Sequence, residues 1–201
     1  MRLNCNINGS QYSLVVNSDK PLSEILKEQI ITFADNSQCQ GATCGNCIVL
    51  INGNAALSCL LPAFKINGSS ILTFEGFQKT RFCHDIERAY AEIGNQPCPQ
   101  CYPSKTIIIE SILNKVDKEN QSRMSSFAMG NTVQGEIQQS QGASSANEQA
   151  ARSRSGMGNI STEMIAREMA MSSCQCIEIS DLEKIINLAY RFRSRRRARR
   201  S

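Results

Sequence analysis

Two short runs of alternating apolar and polar residues, 2–7 and 11–16, open the chain on either side of Asn8-Gly9. Period-two patterning around Asn-Gly predicts a β-hairpin, because both residues accept the positive φ of a tight turn. Pro21, with Ser18 or Asp19 as cap, then precedes a stripe at helical spacing: Leu22, Ile25, Leu26 and Ile30. Residues 48–51 and 55–57 around Asn52-Gly53 predict a second hairpin, and 71–74 a further strand. From about residue 83 the period becomes helical, with helices expected over 84–94, 104–116, 161–171 and 180–192. In the second of these, Ile108, Ile109, Ile112, Leu113 and Val116 make a continuous apolar face. Ser180 and Glu183 have capping-box spacing at the start of the last helix. Residues 118–159 are rich in Gln, Ser, Asn and Gly and poor in large apolar residues. They cannot bury enough surface to fold by themselves, and a disordered loop is expected there.

The cysteines change this picture from shape to chemistry. Cys39, Cys44 and Cys47 stand as C-x4-C-x2-C, and Cys59 follows twelve residues later. That is the ligand spacing of a plant-type [2Fe–2S] site, whose chemistry is one-electron transfer. Gly41 and Gly45 suit a loop whose backbone N–H groups must approach sulfur. The competing reading is a set of buried or disulfide-bonded cysteines. Hairpin, helix, cysteine loop, hairpin is the order of a β-grasp ferredoxin domain. A second set, Cys98-Pro99-Gln100-Cys101 with Cys174-Gln175-Cys176, supplies four more thiols from two turns between helices. By itself it fits either a four-thiolate zinc site or a second iron–sulfur cluster.

Ten cysteines in 201 residues would suggest disulfides in a secreted chain. Residues 1–16 hold no continuous apolar segment, and no stretch approaches the roughly 20 apolar residues of a membrane span. The expectation is metal-binding thiols in a reducing cytoplasm. The formal charge of +4 is unevenly placed: setting aside Arg191, Arg193, Arg195, Arg196, Arg197, Arg199 and Arg200 leaves a body of −3. A basic run of this kind suits nucleic acid, anionic lipid or an acidic partner, and its simpler reading is a solvated, disordered tail. No aromatic residue follows Phe192, so a base-stacking platform is missing from the tail and nucleic acid is disfavoured.

The remaining residues carry less. Cys5 and Cys83 read as small buried hydrophobes. His84 is the only histidine, which excludes a Rieske site with its two histidines. It reads as a cap or a surface contact. No catalytic nucleophile with a base, no P-loop and no G-x-G-x-x-G is present. No residue is assigned a catalytic role; electron relay is the chemistry on offer.

With these motifs in view, the chain resembles the small iron–sulfur subunit of the molybdenum hydroxylases, the family of xanthine dehydrogenase, aldehyde oxidase and carbon monoxide dehydrogenase. The resemblance rests on Cys39, Cys44-Gly45-Asn46-Cys47, Ser58-Cys59-Leu60 and the two later cysteine pairs. Ile71-Leu72-Thr73-Phe74-Glu75-Gly76 and His84-Asp85-Ile86-Glu87-Arg88-Ala89-Tyr90 support it. It covers residues 3–116 and about 160–190. It implies an α+β fold: a β-grasp, plant-type [2Fe–2S] ferredoxin-like domain over 1–78, then an all-α four-helix [2Fe–2S]-binding domain over 79–192 containing the polar insertion. Residues 193–201 are left as the basic tail. It implies two [2Fe–2S] clusters, an outer one on Cys39, Cys44, Cys47 and Cys59 and an inner one on Cys98, Cys101, Cys174 and Cys176. It also implies two partners: a large subunit carrying molybdopterin and a subunit carrying FAD. The alternative is a binding module with one cluster and a structural four-cysteine zinc site. Departures from the family pattern cluster around the inner set. Pro97 stands where the family has Gln, Cys98-Pro99-Gln100-Cys101-Tyr102-Pro103-Ser104 replaces C-G-F-C-T-P-G, and Cys174-Gln175-Cys176-Ile177-Glu178-Ile179 replaces C-R-C-T-G-Y. Substitutions beside the sulfurs alter their hydrogen bonding, and with it the reduction potential.

Overall fold

A computed structural model describes residues 1–29, 44–129 and 160–198. Ile30, Cys39 and Gly41 lie outside the described residues. The first hairpin forms as the alternation predicts: β1 (Arg2–Ile7) pairs antiparallel with β2 (Ser10–Val15), and the turn places Asn8 at φ 52° and Gly9 at φ 88°. Helix α1 (Leu22–Gln29) follows. The second hairpin, β3 (Ile48–Ile51) and β4 (Asn54–Leu57), turns at Asn52 (φ 51°) and Gly53 (φ 84°). Strand β5 (Ser70–Leu72) lies parallel to β1 and antiparallel to β3, giving a mixed five-stranded sheet in the order β2-β1-β5-β3-β4.

The strand expected over 71–74 stops at Leu72. Asn8 accounts for the stop: its Oδ1 accepts the Thr73 N–H at 2.9 Å and its Nδ2 donates to Thr73 Oγ1 at 3.0 Å. The chain then makes a single helical turn, α2 (Phe74–Phe77). Gly76 allows it, since a Cβ there would lie 2.3 Å from Asn8 Oδ1.

Both faces of the sheet are covered. Leu3, Cys5, Ile7, Val49 and Ile71 pack with Leu22, Ile25 and Leu26 of α1. On the opposite face Ile48 and Leu50 join a larger core built from helices. Two covered faces explain why β3 reads Ile-Val-Leu-Ile without alternation. The helices are α3 (Arg81–Ile93), α4 (Tyr102–Met129), α5 (Thr162–Met169) and α6 (Ile179–Ala198). Thr80 caps α3, its side chain accepting from the Cys83 N–H; Gly94 ends α3 in the left-handed conformation. Helix α4 is central: Ile107, Ile108, Ile109, Ile112, Leu113 and Val116 are fully buried. Ser111 ties it to the sheet, its Oγ accepting the Ala55 N–H at 2.8 Å.

Three expectations are corrected here. Residues 118–129, read as the start of a disordered loop, continue α4; residues 130–159 lie outside the described residues. Distant partners hold this stretch, which composition does not reveal: Asn120 donates to the Tyr190 hydroxyl at 2.8 Å, and Asp117, just ahead of the segment, takes both Nη atoms of Arg197 at 2.9 and 2.8 Å. The last helix begins at Ile179 and reaches Ala198, so most of the expected solvated tail is helical. Arg193 is buried, bonded to Glu110 and, at 3.3 Å, to Asp117; Arg196 meets Asp85 at 2.7 Å. Acidic residues of α3 and α4 thus pair with charge that composition assigns to solvent. The capping box does not form either: Ser180 sits inside the first turn, within 3.4 Å of Glu178 Oε2. Among the described residues no helix is long and apolar enough to cross a membrane.

Candidate metal centre

Cys98 and Cys101 lie in the connection between α3 and α4. A one-turn hydrogen-bond pattern shapes it: the Cys101 and Tyr102 N–H groups both donate to the Cys98 carbonyl at 2.9 Å. Ser104 fixes the other side, its hydroxyl donating to the Cys101 carbonyl at 3.1 Å. Cys174 and Cys176 lie between α5 and α6. Backbone bonds from Ala170, Met171 and Ser172 to the last turn of α5 fold this segment back. Two ties hold the segments in register: Asn95 donates to Asp181 Oδ2 at 2.8 Å, and Lys115 meets Glu168 at 2.6 Å.

The result is convergence. The four sulfur atoms of Cys98, Cys101, Cys174 and Cys176 all lie within 4.8 Å of one another. Cys101 is buried and the other three are half-buried. The Cys98 N–H donates to Cys176 Sγ at 3.4 Å, so a backbone dipole already points at one candidate ligand. The Cys101 backbone N–H, followed by the Cys101 side chain, lowers the Cys98 thiol to about 7. Burial raises Cys101, to about 12, and raises Cys176. Hydrogen bonds thus favour the thiolate at Cys98, while burial disfavours it at Cys101 and Cys176. An all-thiolate set of four, partly shielded and with donors directed at sulfur, fits a soft metal or an iron–sulfur cluster.

The first cysteine set is described in three of its four members, Cys44, Cys47 and Cys59. Cys47 immediately precedes β3, and Cys59 lies on a 3₁₀ turn, Ser58–Leu60, that immediately follows β4. The pairing of Ile48 with Leu57 brings the two ends of the hairpin together. Ser58 is fully buried, and both its N–H (3.1 Å) and its hydroxyl (2.8 Å) donate to the Cys47 carbonyl. The hairpin thus leaves Cys47 and Cys59 at its two ends, and Ser58 fixes their approach.

The two cysteine regions also meet. Gly45, at φ 71°, passes so close to the segment before Cys174 that a Cβ would lie 2.5 Å from the Met171 carbonyl oxygen and 2.6 Å from Ser172 Cα. Elsewhere, Cys5 and Cys83 are buried and raised in pKa, chiefly by burial, as small apolar fillers. His84 is exposed and contacts Glu87 at 3.0 Å.

No family model matches the chain. The xanthine dehydrogenase iron-sulfur-binding subunit of Escherichia coli O157:H7 is 35% identical over 113 residues, covering 56% of this chain and 70% of that protein. The chain belongs to the iron–sulfur small-subunit family of the molybdenum hydroxylases. Solved structures share the fold of this small subunit. Quinoline 2-oxidoreductase from Pseudomonas putida 86 superposes with a TM-score of 0.59 at 21% identity, covering 98% of this chain and 96% of that one. Aldehyde oxidoreductase from Desulfovibrio gigas superposes with a TM-score of 0.64 at 17% identity; the match takes in 98% of this chain but spans only 17% of that much longer one.

Proposed function

We propose that this subunit is the electron-relay component of a molybdenum hydroxylase, with substrate oxidised in a partner chain. The reading assigns Cys98, Cys101, Cys174 and Cys176 to one [2Fe–2S] cluster and Cys39, Cys44, Cys47 and Cys59 to another. It divides the chain into a β-grasp unit over 1–78 and a helical unit over 79–192, and places the protein in the cytoplasm, where thiols stay reduced. A large molybdopterin subunit donates electrons, and an FAD subunit or another acceptor takes them. The single observation carrying the proposal is the convergence of four cysteine sulfurs from two distant segments, with Gly45 of the first cysteine set packed on the approach to the second.

When bound, a [2Fe–2S] cluster supplies one-electron transfer. The chain's own residues do the rest. Cys101, almost inaccessible, limits water around sulfur, and the Cys98 N–H offers a hydrogen bond that favours the more negative state. Ser58 holds Cys59 beside Cys47, and the close contact of Gly45 keeps the two cysteine regions together.

The test is iron, zinc and acid-labile sulfide per chain in anaerobically purified protein. About four irons and four sulfides without zinc are expected for two clusters. About two irons with one zinc would make the second set a structural zinc site and break the relay. Cys44→Ser should remove one cluster signal and leave the other; loss of both from a folded variant overturns the two-site assignment.

A further inference from the structure

A cavity of about 730 Å³ opens between α4, α5 and the start of α6. Its wall includes Lys105, Ser172, Cys174, Gln175, Glu178 and Leu182. Lys105 is only 2% exposed, and among the described residues its ammonium has no hydrogen-bond or ion-pair partner. Ser172 is also buried, and its hydroxyl has no partner among the described residues. An unpaired buried cation and an unpaired buried hydroxyl are each costly. Lys105 is also misplaced by helix electrostatics: it lies in the first turn of the 28-residue α4, where the macrodipole favours anions and opposes cations. Lysine, hydroxyl and the positive end of a long helix all call for the same thing, a negative charge.

We infer that this cavity is a binding site for an oxyanion, a carboxylate or phosphate group, held by Lys105 and Ser172. Glu178, exposed at the rim, opposes any such ligand and admits a group that reaches past it to Lys105. The site is distinct from the cysteine cluster in chemistry, since it requires a cation and a hydroxyl rather than thiolates. Its existence does not depend on which metal the thiolates hold.

The experiment is thermal unfolding of the full 201-residue chain, metal content measured beforehand, against increasing inorganic phosphate and, separately, acetate at constant ionic strength. A ligand that binds only the folded state raises the melting temperature with concentration. Wild type is expected to shift saturably with at least one of the two anions, and which one distinguishes phosphate from carboxylate. Lys105→Met should melt higher without anion, because it removes an uncompensated buried charge, and should lose the anion-dependent shift. Ser172→Ala is expected to need a several-fold higher concentration for the same shift, and Glu178→Gln a lower one. Should Lys105→Met fail to fold, the Ser172 and Glu178 variants carry the test through their opposite signs. A flat wild-type response to both anions, or undiminished shifts in the variants that fold, overturns the proposal. The lysine would then be compensated by the neighbouring thiolates alone.

Discussion

Gly45 and Ser172 touch backbone to backbone, although 127 positions of sequence separate them. The contact joins the loop of the first cysteine set to the segment that delivers Cys174. Only glycine fits, for two independent reasons: the left-handed φ of 71° and the 2.6 Å that a Cβ would leave to Ser172 Cα.

Gly45→Ala is therefore expected to destabilise the fold by roughly 1–3 kcal/mol through the backbone conformation, with the steric clash in addition. Because the obstacle is backbone rather than a flexible side-chain end, neither side can yield cheaply. Denaturant unfolding measures the loss. Metal content should fall at the second cysteine set as well as the first, although the substitution lies in the first loop. A fall confined to the first set would mean that the contact does not position Cys174.

Ser58→Ala removes the hydroxyl donor to the Cys47 carbonyl from a fully buried site. The expected cost is about 0.5–1.5 kcal/mol, the net worth of one hydrogen bond whose acceptor keeps a second donor. The retained N–H bond at 3.1 Å keeps the turn formed, so the sheet should survive. The functional reading predicts reduced iron retention at the first set, with the second unchanged, as measured by iron content after gel filtration.

Asn8→Ala should shift the end of β5. Asn8 adopts a positive φ that alanine resists, and its side chain makes the bonds that halt the strand at Thr73. Together these predict a loss of roughly 1–3 kcal/mol, read as a lower denaturation midpoint. Asn8→Gly separates the two contributions, because it accepts the backbone conformation and lacks only the side-chain bonds.

Elements with a local cause could be read directly. Asn8-Gly9 and Asn52-Gly53 announce hairpins because the turn conformation resides in those residues, and the stripe at Leu22, Ile25 and Leu26 announces α1 for the same kind of reason. The two cysteine sets stand out by spacing, yet spacing cannot say that Cys98 and Cys174 meet: that depends on α3, α5 and α6 packing around α4. The limits of α4 and α6 are not legible because residues of both, Asn120 and Arg197, are held by partners far away in sequence. Asn120 is a polar residue that composition assigns to a loop, and Arg193 and Arg197 are charges that composition assigns to solvent. Lys105 is not legible in the sequence, because one lysine at the start of an apolar helix carries no periodic signal.

Arg193, Glu110 and Asp117 yield the most demanding prediction. Arg193 and Glu110 are almost wholly buried, and the guanidinium also lies 4.4 Å from the centre of the Phe82 ring. Burial pushes the Glu110 carboxyl up from 4.5 to about 7, against the pull of Arg193. Between these values the folded chain holds a proton that the unfolded chain has released. The contribution of Glu110 to stability is thus complete below about 4.5 and is lost as pH rises through about 7. Glu110→Gln, which cannot titrate, should flatten the fall in stability across that window, as measured by denaturant midpoints at successive pH values. Arg193→Met removes the group that favours ionised Glu110, so the fall should still begin near 4.5 but continue to higher pH. It should also cost about 3–5 kcal/mol at neutral pH, because Glu110 is left buried without its counter-charge. The double variant Arg193→Met with Glu110→Gln recovers part of that cost if the damage comes from a stranded carboxylate. If it recovers nothing, the loss lies instead in the packing of Arg193 against Phe82 and in its bond to Asp117.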